Sequence, residues 1–336
     1  MLRFLYFSLF LVLISCGTNS DTQKQRFLIK GNEAFRQQSN RDAIRYYKEA
    51  INLDPCYTDA LNNLGIVYYE QKQYTKALEQ YNIALSCDQQ FFDAVFNRAN
   101  AFYELNEFYS AIDDLEFLQK NIPDSARIYF MMGLVKTKMH NYTDAITEFD
   151  KALSLDANNA ETLINLGTVK YYMKKYDAAE EDIKAALKIN PLEANGYNAL
   201  ALIQIDQDNF SEAINLINKA LDFEPEQPYF INNRGYIKLQ LGELEAARED
   251  IDRSIIKDQG NAWAYRNKGW YYYKKGDLKN AITLLERSAK MDPFVDRVYA
   301  FLGQAYEADN QPGKACENYK KAIERKETVS TALECK

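Results

Sequence analysis

Few side chains in this 336-residue sequence could do covalent or acid–base chemistry. There is one histidine, His140, and there are five cysteines, at positions 16, 56, 87, 316 and 335. HExxH, CxxC and glycine-rich phosphate loops are absent from the sequence, so it offers no metal-ligand set or phosphate cradle of familiar spacing. The carboxylates are dispersed along helical stretches, where i,i+4 pairing with Lys and Arg accounts for them. We therefore expect no enzyme, no metal and no cofactor. What recurs instead is asparagine. Asn63, Asn97, Asn165, Asn233 and Asn267 are separated by multiples of 34. A carboxamide both donates and accepts, so a row of them could hold peptide bonds without reading side chains. Aromatic surface is also plentiful, with 25 Tyr, 18 Phe and 2 Trp. A net charge of −7 leaves no electrostatic footprint for nucleic acid.

Those asparagines must be positioned by repeating elements. Small residues recur at Gly31, Gly65, Ala99, Gly133, Gly167, Ala201, Gly235, Gly269 and Gly303, and an alanine follows each of them twelve residues later, from Ala43 to Ala315. Within the second repeat Leu61, Leu64 and Tyr68 form one helical stripe, and Ala77, Leu78, Tyr81 and Leu85 form another. Two helices approach closely only where the facing side chains are small, which explains the glycines and alanines. Pro55, Pro123, Pro191, Pro225 and Pro293 share one offset and end the second helix. Gly242 and Gly276 fall in the turn between the helices, where left-handed backbone is inexpensive for glycine. His140 occupies that same turn in its own repeat and needs no role there. Such hairpins cannot bury their own apolar faces, so stacking on neighbours makes the core.

The L-G-x-x-Y … A-x-x-x-Y pattern at Leu64–Tyr68 and Ala77–Tyr81, with its period of 34, resembles the tetratricopeptide repeat. The resemblance covers residues 24–329 as nine repeats. It implies an all-α fold, a right-handed α-solenoid superhelix of helix-turn-helix units. Departures are mild: Leu115 and Leu118 in repeat 3, and Lys136, Lys170, Gln204 and Lys238 at the usual Tyr. In the family the first helix of each repeat, helix A, lines a concave groove. By resemblance, Asn63, Asn97, Asn165, Asn233 and Asn267 would form a peptide-binding ladder like that in protein O-linked N-acetylglucosamine transferases. Tyr69, Phe96, Tyr103, Trp263, Trp270 and Tyr273 would add aromatic anchors. About half of the groove aromatics are expected to be packing residues, and the Trp263/Trp270 pair is the preferred hot spot. Charge along the groove is uneven, with Asp59, Glu70, Asp93 and Glu104 early and Arg266, Lys274 and Arg297 late. Phe96 stands where a carboxylate clamp of repeat 3 would need Lys, which argues against that clamp.

The N-terminus carries an address. An apolar run from Phe4 to Ile14 follows Arg3 and is too short to cross a bilayer, which needs roughly 20 residues. It closes on Leu13-Ile14-Ser15-Cys16, which resembles a bacterial lipoprotein lipobox. Residues 1–15 are therefore expected as signal peptide and Cys16 as the lipid attachment site. Residues 16–23 are expected as a polar tether and 330–336 as a capping tail. The expected location is a bacterial membrane, on the outer membrane, facing the periplasm or the surface. Export permits disulfides. A hairpin brings Cys56 near Cys87, and a tail that folds back would bring Cys335 to Cys316. The pattern around Cys316 and Cys335 is similar to the last repeat of Bacteroidetes-type lipoproteins of this family. The alternative is four buried thiols.

Taken together, these features describe a membrane-anchored adaptor that holds an extended protein segment in its groove. The partner is a protein or peptide in the cell envelope, with no nucleic acid and no small-molecule cofactor. Rival readings are a pilotin-like assembly factor for an outer-membrane secretion or pilus complex, carbohydrate binding through the aromatic groove, and chemistry supplied in trans by a partner.

Overall fold

Close helix–helix approach begins at the small residues. In the computed structural model a Cβ on Gly65 would stand 2.3 Å from the Tyr81 ring, and one on Gly303 would stand 2.3 Å from Tyr319. Repeats 3 and 6 carry Ala99 and Ala201 at this position, and the large ring of the second helix gives way to Leu115 and Ile217. Gly167, Gly235 and Gly269 also face aliphatic side chains, Ile183, Ile251 and Leu285, so the rings occur only opposite glycine while an aliphatic residue accompanies either small residue.

Residues 15–327, 329 and 335 are described. The expected signal peptide lies outside them apart from Ser15, and the expected tail is described only at Cys335. Among the described residues there are eighteen helices and no strand. The first unit, Met1–Ala157, contains α1 (Ser15–Arg36), α2 (Asn40–Leu53), α3 (Thr58–Glu70), α4 (Tyr74–Cys87), α5 (Phe92–Glu104), α6 (Phe108–Asn121), α7 (Ala126–Lys138) and α8 (Tyr142–Leu155). The second, Asn158–Lys336, contains α9 (Ala160–Tyr172), α10 (Tyr176–Ile189), α11 (Ala194–Asp206), α12 (Phe210–Phe223), α13 (Pro228–Leu241), α14 (Leu244–Lys257), α15 (Ala262–Lys274), α16 (Leu278–Met291), α17 (Val298–Ala308) and α18 (Pro312–Glu324). Odd-numbered helices are the A helices and even-numbered ones the B helices. Each unit is an all-α stack of these hairpins around buried Ala, Leu, Ile and ring side chains. No described helix is long and apolar enough to cross a membrane.

Both turn types follow from local chemistry. B helices end in extended residues such as Asp54, Ile122, Asn190, Glu224 and Asp292, each followed by one of the five prolines. With or without the proline, Asp54, Asp88, Asp258 and Asp292 accept the backbone N–H two residues on. Inside the hairpins, left-handed residues recur every 34 positions: Gln38, Lys72, Asn106, His140, Lys174, Asp208, Gly242, Gly276 and Asn310. Only two are glycine, although the geometry favours it at all nine. Lys72→Gly should therefore stabilise the first unit by about 0.5–1 kcal/mol, the relief of a left-handed Cβ less the chain entropy of glycine. A shift of the urea midpoint to lower concentration would contradict this.

The N-terminal segment differs from expectation. Residues 16–23, read as a tether, continue α1. No stop signal follows Gly17, and extending a formed helix costs little. Lys24 pins this helix to the end of α2 through Asp54, 2.7 Å away. The structure also joins Cys56 to Cys87, with Cα atoms 5.5 Å apart, and Cys316 to Cys335, 5.2 Å apart. Cys335 packs with Val329 against the core of the second unit.

Candidate binding surface

Four of the five repeated asparagines donate to another asparagine in the preceding repeat. In the first unit Asn63 Nδ2 donates to Asn32 Oδ1 at 2.9 Å, and the Tyr47 hydroxyl donates to the same oxygen at 2.8 Å. Burial pushes the Tyr47 phenol up to about 12, so it remains a donor at neutral pH. Asn97 Nδ2 donates to Asn62 Oδ1 at 2.9 Å. In the second unit Asn233 donates to Asn198 at 2.8 Å and Asn267 to Asn232 at 2.9 Å. Asn165 instead donates to the Glu161 carbonyl of its own helix at 2.9 Å. Three of these bonds span 35 residues, joining one A helix to the next. Their acceptors, Asn62, Asn198 and Asn232, escaped the sequence reading even though they too sit in the 34-residue register.

The aromatic anchors divide into packed and presented ones. Phe96 is 8% exposed and lies beneath the Arg127 guanidinium, 3.8 Å from its ring, so it cannot serve as a ligand anchor in this arrangement. Tyr69 meets Tyr74 edge-on and donates to Glu104, while Tyr103 leans on Phe108. These two work mainly between helices. Between α1, α2 and α3 an open cavity of about 230 Å³ is lined by Asn32, Phe35, Arg36, Tyr47, Asn63 and Ile66. In the second unit Trp270 stacks on Tyr273 at 4.6 Å and on Phe301 at 4.0 Å, both nearly parallel. Trp263, 37% exposed, has the Arg266 guanidinium 4.9 Å from its ring. The two tryptophans thus have separate tasks: one is fixed in a stack and the other is presented.

Arg266 organises this region. It is 5% exposed and lies against the rings of Tyr236, Trp263 and Phe301. Burial lowers its pKa from the usual arginine value. Its Nε and Nη2 donate to Asn267 Oδ1 at 3.0 and 2.6 Å, and its Nη1 donates to the Asp296 carbonyl at 2.8 Å. Asn267 is completely buried and its oxygen is spent on Arg266. It is therefore a structural residue, and the expectation that it binds peptide is corrected. Repeat 9 deforms around the same bond. In the 34-residue register of α15, α17 would begin at Asp296. It begins at Val298, with Arg297 left-handed at φ 59°. Arg297 Nη1 donates to the Tyr236 hydroxyl at 3.2 Å. Lys274 lies 5.5 Å from the Trp270 ring.

Sequence profiles of the tetratricopeptide repeat match residues 30–90, 164–228, 198–262, 232–296 and 266–328, and a second profile of the same repeat matches 124–191. The chain belongs to the tetratricopeptide repeat family. Arrays of such repeats are interaction scaffolds that bind protein or peptide partners. Among solved tetratricopeptide repeat structures, the chain is similar to the APC/C hetero-tetramer Cut9-Hcn1, with a TM-score of 0.63 and 16% identity. That match covers 85% of this chain, which spans 56% of the other. It is also similar to yeast Tom70, with a TM-score of 0.44, 22% identity, and 91% and 77% of the two chains covered. A tetratricopeptide repeat protein from Parabacteroides merdae ATCC 43184 gives a TM-score of 0.44, 18% identity, and 84% and 99% coverage. These likenesses concern the fold. No curated protein sequence matches the chain.

Proposed function

We propose that this tetratricopeptide repeat protein is a lipid-anchored adaptor of the bacterial cell envelope that holds an extended protein segment along its A helices. The observation that carries the binding half is the state of Asn97 and Asn233. Each commits one N–H to the neighbouring repeat, which fixes the plane of the carboxamide. Each is only partly buried, and its oxygen and second N–H have no partner among the described residues. An oriented donor–acceptor pair on an A helix, one in each unit, suits a peptide backbone. The anchoring half rests on the lipobox-like Leu13–Cys16 after an apolar run. The second unit gives less support to sugar stacking, because Trp270 is already engaged by two protein rings.

Combined replacement of Asn63, Asn97 and Asn233 by Ala tests the binding half. With a photo-crosslinker at Trp263 and a second at Tyr69, the wild-type chain should capture discrete partner segments in cells. The triple variant should lose about tenfold of that capture while its helical circular dichroism persists. Undiminished capture would sink the ladder. Cys16→Ser should move the protein from the membrane fraction to the soluble one. If it remains membrane-bound, the anchor assignment fails.

A further inference from the structure

Two tyrosines and an acid recur together at one place in the repeat, once in each unit. In the first unit they are Tyr69 near the end of α3, Tyr74 at the start of α4 and Glu104 at the end of α5. The two rings meet edge-on at 5.3 Å, and the Tyr69 hydroxyl donates to Glu104 at 3.4 Å. Three repeats later Tyr171, Tyr176 and Asp206 occupy the same register. Their rings lie 6.1 Å apart, and the Tyr176 hydroxyl donates to Asp206 at 3.0 Å. No other repeat combines two tyrosines and an acid at these positions.

The second cage shows what fits. Lys174, in the turn between its tyrosines, pairs with Asp206 at 2.7 Å. Its ammonium lies 5.6 Å from the centre of the Tyr171 ring and 5.8 Å from that of Tyr176. One carboxylate and two rings thus share one ammonium. In the first cage the corresponding residue is Lys72, which is exposed and makes no ion pair or ring contact among the described residues. Lys76 is turned to Gln73 and to the Tyr68 ring. Glu104 therefore has no cationic partner among the described residues, and neither has Glu70, which stands where the second cage has Tyr172. Both acids are exposed and end their helices, where the backbone carbonyls add negative potential. Burial raises both phenols of the cage, and Glu104 and Glu70 raise them further, with no cation acting on Tyr74 in return.

We propose that the first cage seats the ammonium of a lysine side chain of the bound segment, between Tyr69, Tyr74 and Glu104. The inference rests on the peptide-binding reading above and adds the chemistry of an anchor residue in the first unit. Asn63 precedes Tyr69 on α3 by six residues, about 9 Å along the helix axis. A segment held at that asparagine passes within a lysine's reach of the cage. A compact ammonium needs only one carboxylate and the ring faces, whereas a guanidinium is best matched by a two-pronged acceptor. Glu104 already accepts the Tyr69 hydroxyl on one of its oxygens.

The test uses the full chain in detergent and a positional-scanning library of N-acetylated, C-amidated nonapeptides, read by fluorescence anisotropy. One library position should select lysine. Replacing that lysine by norleucine, which keeps the stem and loses the charge, should weaken binding about tenfold. Glu104→Gln keeps an acceptor for Tyr69 while removing the charge. It should weaken the lysine peptide by a similar factor and leave the norleucine peptide unchanged. Asp206→Asn, in the cage that Lys174 already fills, should leave the lysine preference intact. Loss of the preference in that variant would put the lysine in the second unit and overturn the inference. Peptides that bind with no lysine preference, or that prefer arginine, would overturn it and leave the groove reading standing. A preference that emerges only in Lys72→Gly would overturn it as well, because the chain would then be filling this cage itself. If no peptide in the library binds the wild-type chain, the peptide-binding reading falls together with the inference.

Discussion

Asn267→Ala should lower the stability of the second unit by about 3–5 kcal/mol, the usual cost of orphaning a buried charge. Arginine cannot shed its proton in a protein, so Arg266 stays cationic whatever its neighbours do. Asn267 Oδ1 is the acceptor for two of its N–H groups, and no other side-chain oxygen is bonded to them. The same substitution removes the donor that satisfies Asn232. Only a small part of the loss would be packing, since the side chain is short. Denaturant unfolding should show the destabilisation, and hydrogen exchange should place it in α15 and α17. Removing both charge and acceptor, as Arg266→Met with Asn267→Ala, should recover most of the loss, because the penalty lies in the unpaired cation. A single variant within about 1 kcal/mol of wild type would mean that Arg266 finds another acceptor.

Asp250→Asn should cost about 2–3 kcal/mol at neutral pH, with a cost that fades in acid. Asp250 takes a two-pronged contact from Arg234, at 2.8 and 2.7 Å, and a third bond from Lys238 at 2.7 Å. Burial acts to raise its carboxyl, but hydrogen bonds from both cations outweigh burial and hold it below the usual Asp range. Its stabilising effect is therefore fully present above the unfolded value of about 3.9 and is lost as pH falls through the lower folded value. The difference between wild type and variant should close over that acid window. Asp114, four repeats earlier at the same position, is a built-in comparison. It has a similar fork from Arg98, at 2.8 and 2.6 Å, but Phe102 stands where the lysine would be. With one cation, burial wins and its carboxyl is raised. Asp114→Asn should cost less at neutral pH than Asp250→Asn. Unfolding curves of both variants at neutral and acidic pH check the pair of predictions, and equal costs would refute the argument.

Much of the fold was legible because backbone packing leaves periodic marks. Gly65 opposite Tyr81 and Ala99 opposite Leu115 show how one hairpin position constrains another, and the 34-residue period exposes both. The left-handed turns were readable only at Gly242 and Gly276. At Lys72 or His140 the residue type carries no sign of φ, and the register alone could have found them. Asn ladder positions stand out by their spacing, whereas the bonds they make do not. Asn62, Asn198 and Asn232 each precede an Asn in the next repeat, at 97, 233 and 267. Where Arg266 replaces that partner, Phe301 replaces the following Asn and an aromatic contact replaces the hydrogen bond. That coupled change was present in the sequence. The late start of α17 and the burial of Asn267 were not, because both follow from where one guanidinium ends up in three dimensions.

The carboxamide bonds between successive A helices also have a mechanical consequence within each unit. Bending that spreads the A helices must stretch Asn97–Asn62, or Asn233–Asn198 and Asn267–Asn232. Bending that spreads the B helices leaves those bonds intact. Each unit should therefore behave as a spring of unequal stiffness, resisting opening on the A side more than flexing on the other. A segment laid along the A helices would meet a surface whose rungs keep their spacing under load.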